Sequence, residues 1–310
     1  MGNDLIIETR GMTREFGKFV AVDSIDLTIE EGAIHGFIGP NGAGKTTTIK
    51  MLIGAIRCTR GTGFIKGNPV GSVASKRLIG YSPEHPRFYS DMSARDYLVY
   101  MARVSGVGRD AGGKAADLLD WLELSDFAGK KVGGFSAGMR QRLGLAQSLI
   151  HDPELLILDE PTANLDPTGR MSILDKLRQA SKERGVTIFI SSHILSELEQ
   201  LVDSVTLINK GKVLAEDTME NLKKAYSRNR YVLRTSHNEK VVEAVKRRAP
   251  VSESWLDGDG FIHLVSEDGD ALKRELVYAL NETGILLEHF SEAEVTLETI
   301  YRKEMGLDKE

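Results

Sequence analysis

At 310 residues, 41% hydrophobic and 27% charged, the chain has the composition of an ordinary soluble protein long enough for two domains. A net charge of −5 weighs against nucleic acid as a main partner, and a single cysteine, Cys58, excludes an internal disulfide and suits a reducing compartment. No apolar run approaches the ~20 residues that span a bilayer, and MGNDLIIETR has neither the basic start nor the apolar core of a signal peptide. Gly2 is followed at position 6 by Ile6 rather than Ser or Thr, so a myristoylation signal is not expected either.

Short alternating runs at 5–9, 24–29 and 33–38 read as strands. The last leads into GPNGAGKTTTIKMLIGAI, where the period changes from strand to helix. Residues 88–150 are mainly helical, punctuated by Gly106, Gly108, Gly112 and Gly113. Within them, GGFSAGMRQRLGLAQSLI puts a Ser–Ala–Gly turn before a helix that carries Arg140 and Arg142 in its first turn. Leu143, Ala146, Leu149 and Ile150 share one apolar face of that helix. Taken alone, the stretch is an ordinary loop capped by Ser136.

Apolar runs at 155–158 and 186–190 flank a helix with Asp166 as N-cap, Pro167 at its first position and Gly185 past its end. Strand, helix and strand in that order predict a parallel α/β core. Composition shifts at KKAYSRNR, residues 223–230, which predicts a boundary between domains 1–225 and 226–310. Beyond it come a strand at 231–235, a helix at 238–248 and a strand at 252–256. A DGDG hairpin turn, a strand at 261–266, a helix at 271–281 and a strand at 285–290 follow. The order β-α-β-β-α-β predicts a small α+β domain of the ferredoxin-like kind, closed by a helix over 296–305. No internal repeat or low-complexity tract interrupts the chain.

Gly39, Pro40, Asn41, Gly42, Ala43, Gly44, Lys45 and Thr46 match G-x-x-x-x-G-K-[ST] between a predicted strand and a predicted helix. Glycines let the backbone wrap closely round phosphate oxygens with successive N–H groups pointing inward. The helix that starts near Lys45 adds its positive end. Lys45 is expected to reach the β- and γ-phosphates, and Thr46 to ligate Mg²⁺. A nucleoside triphosphate site follows.

LLILDE is a fully apolar strand that ends in Asp159 and Glu160. Ligands collect at the carboxyl ends of such buried parallel strands. Asp159 is expected to hold Mg²⁺ through water, and Glu160 to face the γ-phosphate and polarise the attacking water. Asp166-Pro167 fits a helix cap, an interface role, or both. A histidine at a strand end is often structural, but His193 follows the next strand at the same sheet edge as the acidic pair, so a catalytic role is expected.

In order, GPNGAGKTT, FSAGM, LLILDEP, NLD and the SSH ending at His193 resemble the nucleotide-binding subunit of an ATP-binding cassette (ABC) transporter, over roughly residues 4–222. The resemblance implies a P-loop NTPase of the ABC type: a parallel core sheet, an N-terminal antiparallel β subdomain and a helical subdomain at about 88–150. It implies ATP and Mg²⁺ as ligands and extends the phosphate loop to Thr47. It further implies that Ser136, Ala137 and Gly138 form the signature turn, which contacts the γ-phosphate of ATP held by a second copy, with Asp166 at the same interface. Two chains would then sandwich two ATP molecules about a two-fold axis.

Three residues depart from the family pattern. FSAGM keeps only the Ser and second Gly of LSGGQ, with Ala137 and Met139 replacing the others, so a slower activity is expected. Glu84, in YSPEHP, occupies the glutamine-loop position, where it would reach a metal-bound water. Phe16, in REFGK, stands where a tyrosine usually stacks on adenine; a core aromatic of the first hairpin is the other reading.

The resemblance also implies a separate polytopic permease at the cytoplasmic face of the membrane, contacted through residues 84–107 with His85, Phe88, Tyr89 and Tyr97 as surface. The branch is similar to ABC-2-type exporters of drugs, antibiotics, sodium or copper-site maturation, whose ATPases often carry a terminal domain ending like VTLETIYRKEMG. Dimer contact, regulation and cargo reading are all open roles for that domain. A soluble ABC ATPase acting on nucleic acid or ribosomes is the alternative, disfavoured because the chain has one phosphate loop and no sustained heptads.

Overall fold

The computed structural model describes residues 4–163, 165–227, 230–293 and 295–306. Residues 1–3 with Gly2, Asn164 of the NLD motif, and Arg228 and Asn229 of the boundary stretch lie outside the described residues, as do 307–310. The chain divides into two compact units: the second is Glu220–Lys303, which starts upstream of the 225/226 junction read from composition, and the described residues from Glu304 on group with the first.

In the first unit, β1 (Leu5–Phe16) and β2 (Phe19–Glu30) form an antiparallel hairpin. β3 (Ile34–Ile38) leads into α1 (Lys45–Leu52), followed by β4 (Arg60–Ile65), β5 (Asn68–Pro69), α2 (Val73–Leu78) and β6 (Ile79–Ser82). A helical segment holds α3 (Ala94–Val104), α4 (Ala111–Trp121) and α5 (Ala137–Leu149), which pack on one another. Next come β7 (Leu155–Asp159), α6 (Pro167–Arg184), β8 (Thr187–Ser192), α7 (Leu195–Glu199), β9 (Ser204–Asn209) and β10 (Lys212–Thr218).

These strands make two sheets, an antiparallel one ordered β2-β1-β4-β5 and a six-stranded one ordered β10-β9-β3-β8-β7-β6. In the second, β9, β3, β8, β7 and β6 run parallel and only β10 is antiparallel. The apolar runs IHGFI and LLILD are buried along their whole length, as strands covered on both faces must be. Phe37, Leu155, Ile157 and Phe189 share one cluster with Ile49 and Leu52 of α1 and Ile7, Leu27 and Ile65 of the antiparallel sheet. On the other face, Leu143 and Leu149 of α5 and Leu174 and Leu177 of α6 are buried. The parallel core sheet, the antiparallel β subdomain and the helical subdomain expected from the motifs are all observed.

Caps written into the sequence set the helix ends. Ser136 accepts from Met139 N–H (3.3 Å) at the start of α5, and Asp166 accepts from Gly169 N–H (3.2 Å) at the start of α6. Each such cap contributes about 1 kcal/mol. Gly185 ends α6 in the left-handed region, with φ 65°.

The second unit begins on α8 (Met219–Ser227) and continues β11 (Arg230–Thr235), α9 (Asn238–Lys246), β12 (Val251–Leu256), β13 (Ile262–Ser266), α10 (Gly269–Thr283), β14 (Leu287–Glu292) and α11 (Leu297–Glu304). Its antiparallel sheet is ordered β12-β13-β11-β14, the ferredoxin-like arrangement expected from the element order. Leu233, Ile262 and Leu264 of the sheet bury against Val241 and Val245 of α9 and Leu272 and Leu276 of α10. The DGDG turn closes by a bond from Asp257 N–H to Phe261 C=O (2.9 Å), with Gly260 at φ 82°. Among the described residues, no helix is long and apolar enough to cross a membrane.

Candidate nucleotide site

The parallel sheet brings the carboxyl ends of β3, β7 and β8 side by side, and the chemistry collects there. A cavity of about 310 Å³ is lined by Phe19, Ala21, Pro40, Asn41, Gly42, Gly44, Lys45, Thr46, Thr47, Glu84, Glu160 and His193. A tight loop joins β3 to α1. A Cβ on Gly39 would come within 2.2 Å of Ile208 O, so the loop packs its backbone against β9. At Gly42 a Cβ would meet open space, but φ is 81° there, and 110° at Gly44. Those angles turn successive N–H groups toward one point, as an anion cradle requires. Ala43, buried at 2% exposure, holds the loop from beneath.

Lys45 is 5% exposed, and its Nζ lies 2.7 Å from Gly39 O and 3.1 Å from Glu160 Oε1. A buried ammonium ion on the cavity wall, beside the cradle and the first turn of α1, is a donor set that suits a polyphosphate. Of the oxygen donors expected for Mg²⁺, Thr46 lines the cavity, whereas Asp159, 3% exposed and next in sequence to Glu160, does not; a hydroxyl and a carboxylate still suit Mg²⁺, which takes one or two carboxylates together with phosphate oxygens.

Glu160 breaks from β7 in the left-handed region, with φ 50°. Its Oε2 accepts from His193 Nδ1 at 2.7 Å, which fixes the histidine in the Nδ1–H tautomer. Thus one carboxylate is held by Lys45 on one oxygen and by His193 on the other. Glu84 is exposed and sits on the rim, where it also borders a second cavity of about 350 Å³ lined by Pro86, Ala137, Arg140 and Gln141. Ser136, Gly138, Met139, Leu165 and Asp166 line a third, of about 260 Å³. The expected signature residues therefore stand apart from the phosphate loop of their own chain.

An ABC transporter family model matches residues 22–163. A bacitracin transport ATP-binding protein of Bacillus licheniformis is 39% identical over 305 residues, covering 97% of this chain and 97% of the relative. The chain belongs to the ABC transporter ATP-binding proteins. A daunorubicin resistance ATP-binding protein of Streptomyces coeruleorubidus is 33% identical over 313 residues, covering 99% of this chain and 98% of the relative. A dimeric ATP-binding cassette solved in a post-hydrolysis state with ADP and phosphate superposes with a TM-score of 0.63, at 21% identity, covering 69% of this chain and 98% of its own. That likeness shows the fold. This ABC ATPase is a nucleotide-binding, ATP-hydrolysing subunit of the transporter family.

Several residues of the ABC ATPase lie elsewhere than their motifs suggest. Phe16 is absent from the residues lining the 310 Å³ cavity; the wall carries Phe19, its partner across the β1–β2 turn, at 65% exposure. The Phe16 ring is covered by the Arg14 guanidinium, 4.5 Å from its centroid. Tyr97 is not surface: it is 3% exposed, and its hydroxyl donates to Gln147 Oε1 at 2.6 Å, tying α3 to α5. The exposed rings of that segment are His85, Tyr89 and Tyr100, the two tyrosines in edge contact at 5.9 Å.

Arg140 donates to Phe135 C=O at 2.6 Å, beside the expected signature turn, whereas Arg142 meets Glu123 at 3.2 Å and donates to Ser172 Oγ at 3.2 Å, away from that turn. Ser191 is the first residue of the SSH motif, which gives it no role of its own; its hydroxyl bonds both members of the acidic pair. Only pairing of β7 with β8 brings it there, so its place was not visible in the sequence.

Proposed function

We propose that this ABC ATPase dimerises around two Mg-ATP and drives a separate polytopic permease, in an exporter of the ABC-2 type. The observation that carries this reading is the division of its parts. The phosphate loop, Glu160 and His193 line one cavity, whereas Ser136, Gly138 and Asp166 line another. Two copies facing each other about a two-fold axis bring the two sets together on one ATP. The dimeric cassette of the same fold and the bacitracin and daunorubicin relatives support the pairing and the export role.

Lys45 and the N–H groups at Gly42, Ala43 and Gly44 bind the β- and γ-phosphates, and Thr47 adds a hydroxyl nearby. Thr46 and Asp159 would hold Mg²⁺, which when bound neutralises charge on the phosphate oxygens. Arriving phosphate draws Nζ of Lys45 off Glu160. Glu160 then takes a proton from the attacking water, while Nδ1–H of His193 holds its other oxygen in place. Glu84, on the rim, would reach a water bound to that Mg²⁺. An aromatic ring of the first hairpin, Phe16 or Phe19, stacks on adenine. Across the interface, Ser136 and Gly138 offer a hydroxyl and backbone N–H groups to the γ-phosphate, Ala137 fills the turn, and Asp166 shapes the contact. Residues 226–310 form an accessory α+β domain, whose open roles are dimer contact, regulation and cargo reading. The protein works at the cytoplasmic face of the membrane, held there by the permease.

Affinity purification of Glu160→Gln from detergent-solubilised native membranes with Mg-ATP tests the assembly. One polytopic membrane protein at equal stoichiometry is expected. Ribosomal or DNA-bound proteins, with no membrane partner, would overturn the transporter role.

A further inference from the structure

Ser191 is fully buried on β8, register partner of Asp159 on one side and of Phe37 on the other. Its hydroxyl donates to Asp159 Oδ1 at 2.8 Å and accepts from the backbone N–H of Glu160 at 3.1 Å. The carbonyl of the same serine accepts that N–H at 3.2 Å. One residue thereby binds both members of the acidic pair.

We propose that Ser191 is a positioning residue of the nucleotide site, whose single hydroxyl locks the Asp159 carboxylate and the Glu160 backbone into one register. The proposal rests on the roles given above to those two carboxylates. Left-handed φ is unfavourable for a residue with a side chain, and Glu160 adopts it at 50°. The turn aims its carboxylate at Lys45 and His193, which a continued strand would not do. Beyond β7 the Glu160 N–H has left the regular ladder, and Ser191 supplies both of its acceptors. A hydroxyl has one proton to give and lone pairs to receive. Here the proton goes to Asp159 and a lone pair to Glu160, so neither bond competes with the other. On a strand otherwise reading TIFIS, an apolar side chain would fill the same space; the hydroxyl is what the site uses. Partners that orient a metal-ligating side chain typically matter by 10–100-fold in metal affinity or activity.

The test is Ser191→Ala beside Ser191→Thr, read first by equilibrium binding of a fluorescent ATP analogue with EDTA and with Mg²⁺. In wild type, Mg²⁺ strengthens binding. In Ser191→Ala the Mg²⁺-free affinity is expected to stay within ~3-fold while the gain from Mg²⁺ shrinks by ~10-fold, and kcat to fall ~10–100-fold with little change in KM. Ser191→Thr, which keeps the hydroxyl, is expected to restore most of both. Should the alanine variant fail to fold, Ser191→Cys keeps the shape with only a weak donor and is expected to show the same losses. Wild-type Mg²⁺ gain and kcat in the alanine or cysteine variant would overturn the proposal. So would equal losses in the EDTA and Mg²⁺ arms, which mark a merely structural role. Absence of Mg²⁺-dependent nucleotide binding in the wild type would instead overturn the reading of Asp159 and Glu160 as the site itself.

Discussion

Lys45 and Glu160 form a buried ion pair, with Nζ 3.1 Å from Oε1 and both side chains under one-tenth exposed. The cation assigned to phosphate and the carboxylate assigned to water hold each other. Removing one member of a buried pair leaves an uncompensated charge and costs about 3–5 kcal/mol, whereas removing both costs less. Lys45→Ala is therefore expected to destabilise the nucleotide-free chain by about 3 kcal/mol, and Lys45→Ala with Glu160→Gln by clearly less. Urea unfolding of the two single variants and the double one measures the coupling; additive losses would show that the pair carries none.

Adenine recognition separates two aromatics of one hairpin. Phe19 lies on the cavity wall, while Phe16 carries Arg14 over its ring. Base–aromatic stacking is worth about 1–3 kcal/mol. Phe19→Ala is expected to weaken ATP binding about tenfold and Phe16→Ala by less than threefold, on the scale of ~1.4 kcal/mol per tenfold. Titration with a fluorescent ATP analogue decides; the reverse order would assign the stacking to Phe16.

A buried histidine makes stability depend on pH. His35 sits 1% exposed between Ser204 and Thr206, 2.8 Å from each hydroxyl, and burial lowers its pKa from 6.5 to about 3. Thr206 in turn donates to Glu216 at 2.9 Å, so its oxygen accepts from His35 Nε2–H and Ser204 donates to Nδ1. The folded chain keeps His35 neutral, while the unfolded chain protonates it below about pH 6.5. Unfolding then takes up a proton, and stability falls as pH drops from 6.5 toward 3, by up to ~1.4 kcal/mol per unit. Glu216, whose pKa burial raises, titrates in part of the same window with opposite sign, because its folded form takes up the proton first. Thermal unfolding of wild type against His35→Asn between pH 7.5 and 5 is expected to show a lower but flatter curve for the variant; parallel curves would exclude His35 as the source.

The phosphate loop is legible in sequence because its spacing alone dictates its geometry: Gly42 and Gly44 must take positive φ for the N–H groups to converge. Asp159 and Glu160 are legible because an apolar strand that stops at carboxylates has one end to offer. The C-terminal unit was readable from alternation, and the DGDG turn fixed its middle hairpin. Other features depend on what lies far along the chain. Ser191 reaches Asp159 across 32 positions, through strand register that no local pattern encodes. Tyr97 repeats at helical spacing whether it faces solvent or core; only its bond to Gln147 tells which. β6, at four residues, is too short for a period to show, and β9 is buried at four successive positions and so does not alternate, although Lys210 and Gly211, both at positive φ, make the turn between it and β10. Phe16 and Phe19 are equivalent by composition, and the turn that joins them decides which ring meets the cavity.

Light scattering of Glu160→Gln with and without ATP, alongside phosphate release by the same protein, tests the composite ATP site most directly. Losing a positioned general base slows turnover by about 10²–10⁴-fold without removing the phosphate cradle. The expected result is a dimer mass in saturating Mg-ATP, a monomer mass without it, and phosphate release reduced by at least 10²-fold. A monomer mass with ATP bound, or phosphate release equal to that of wild type, would contradict it.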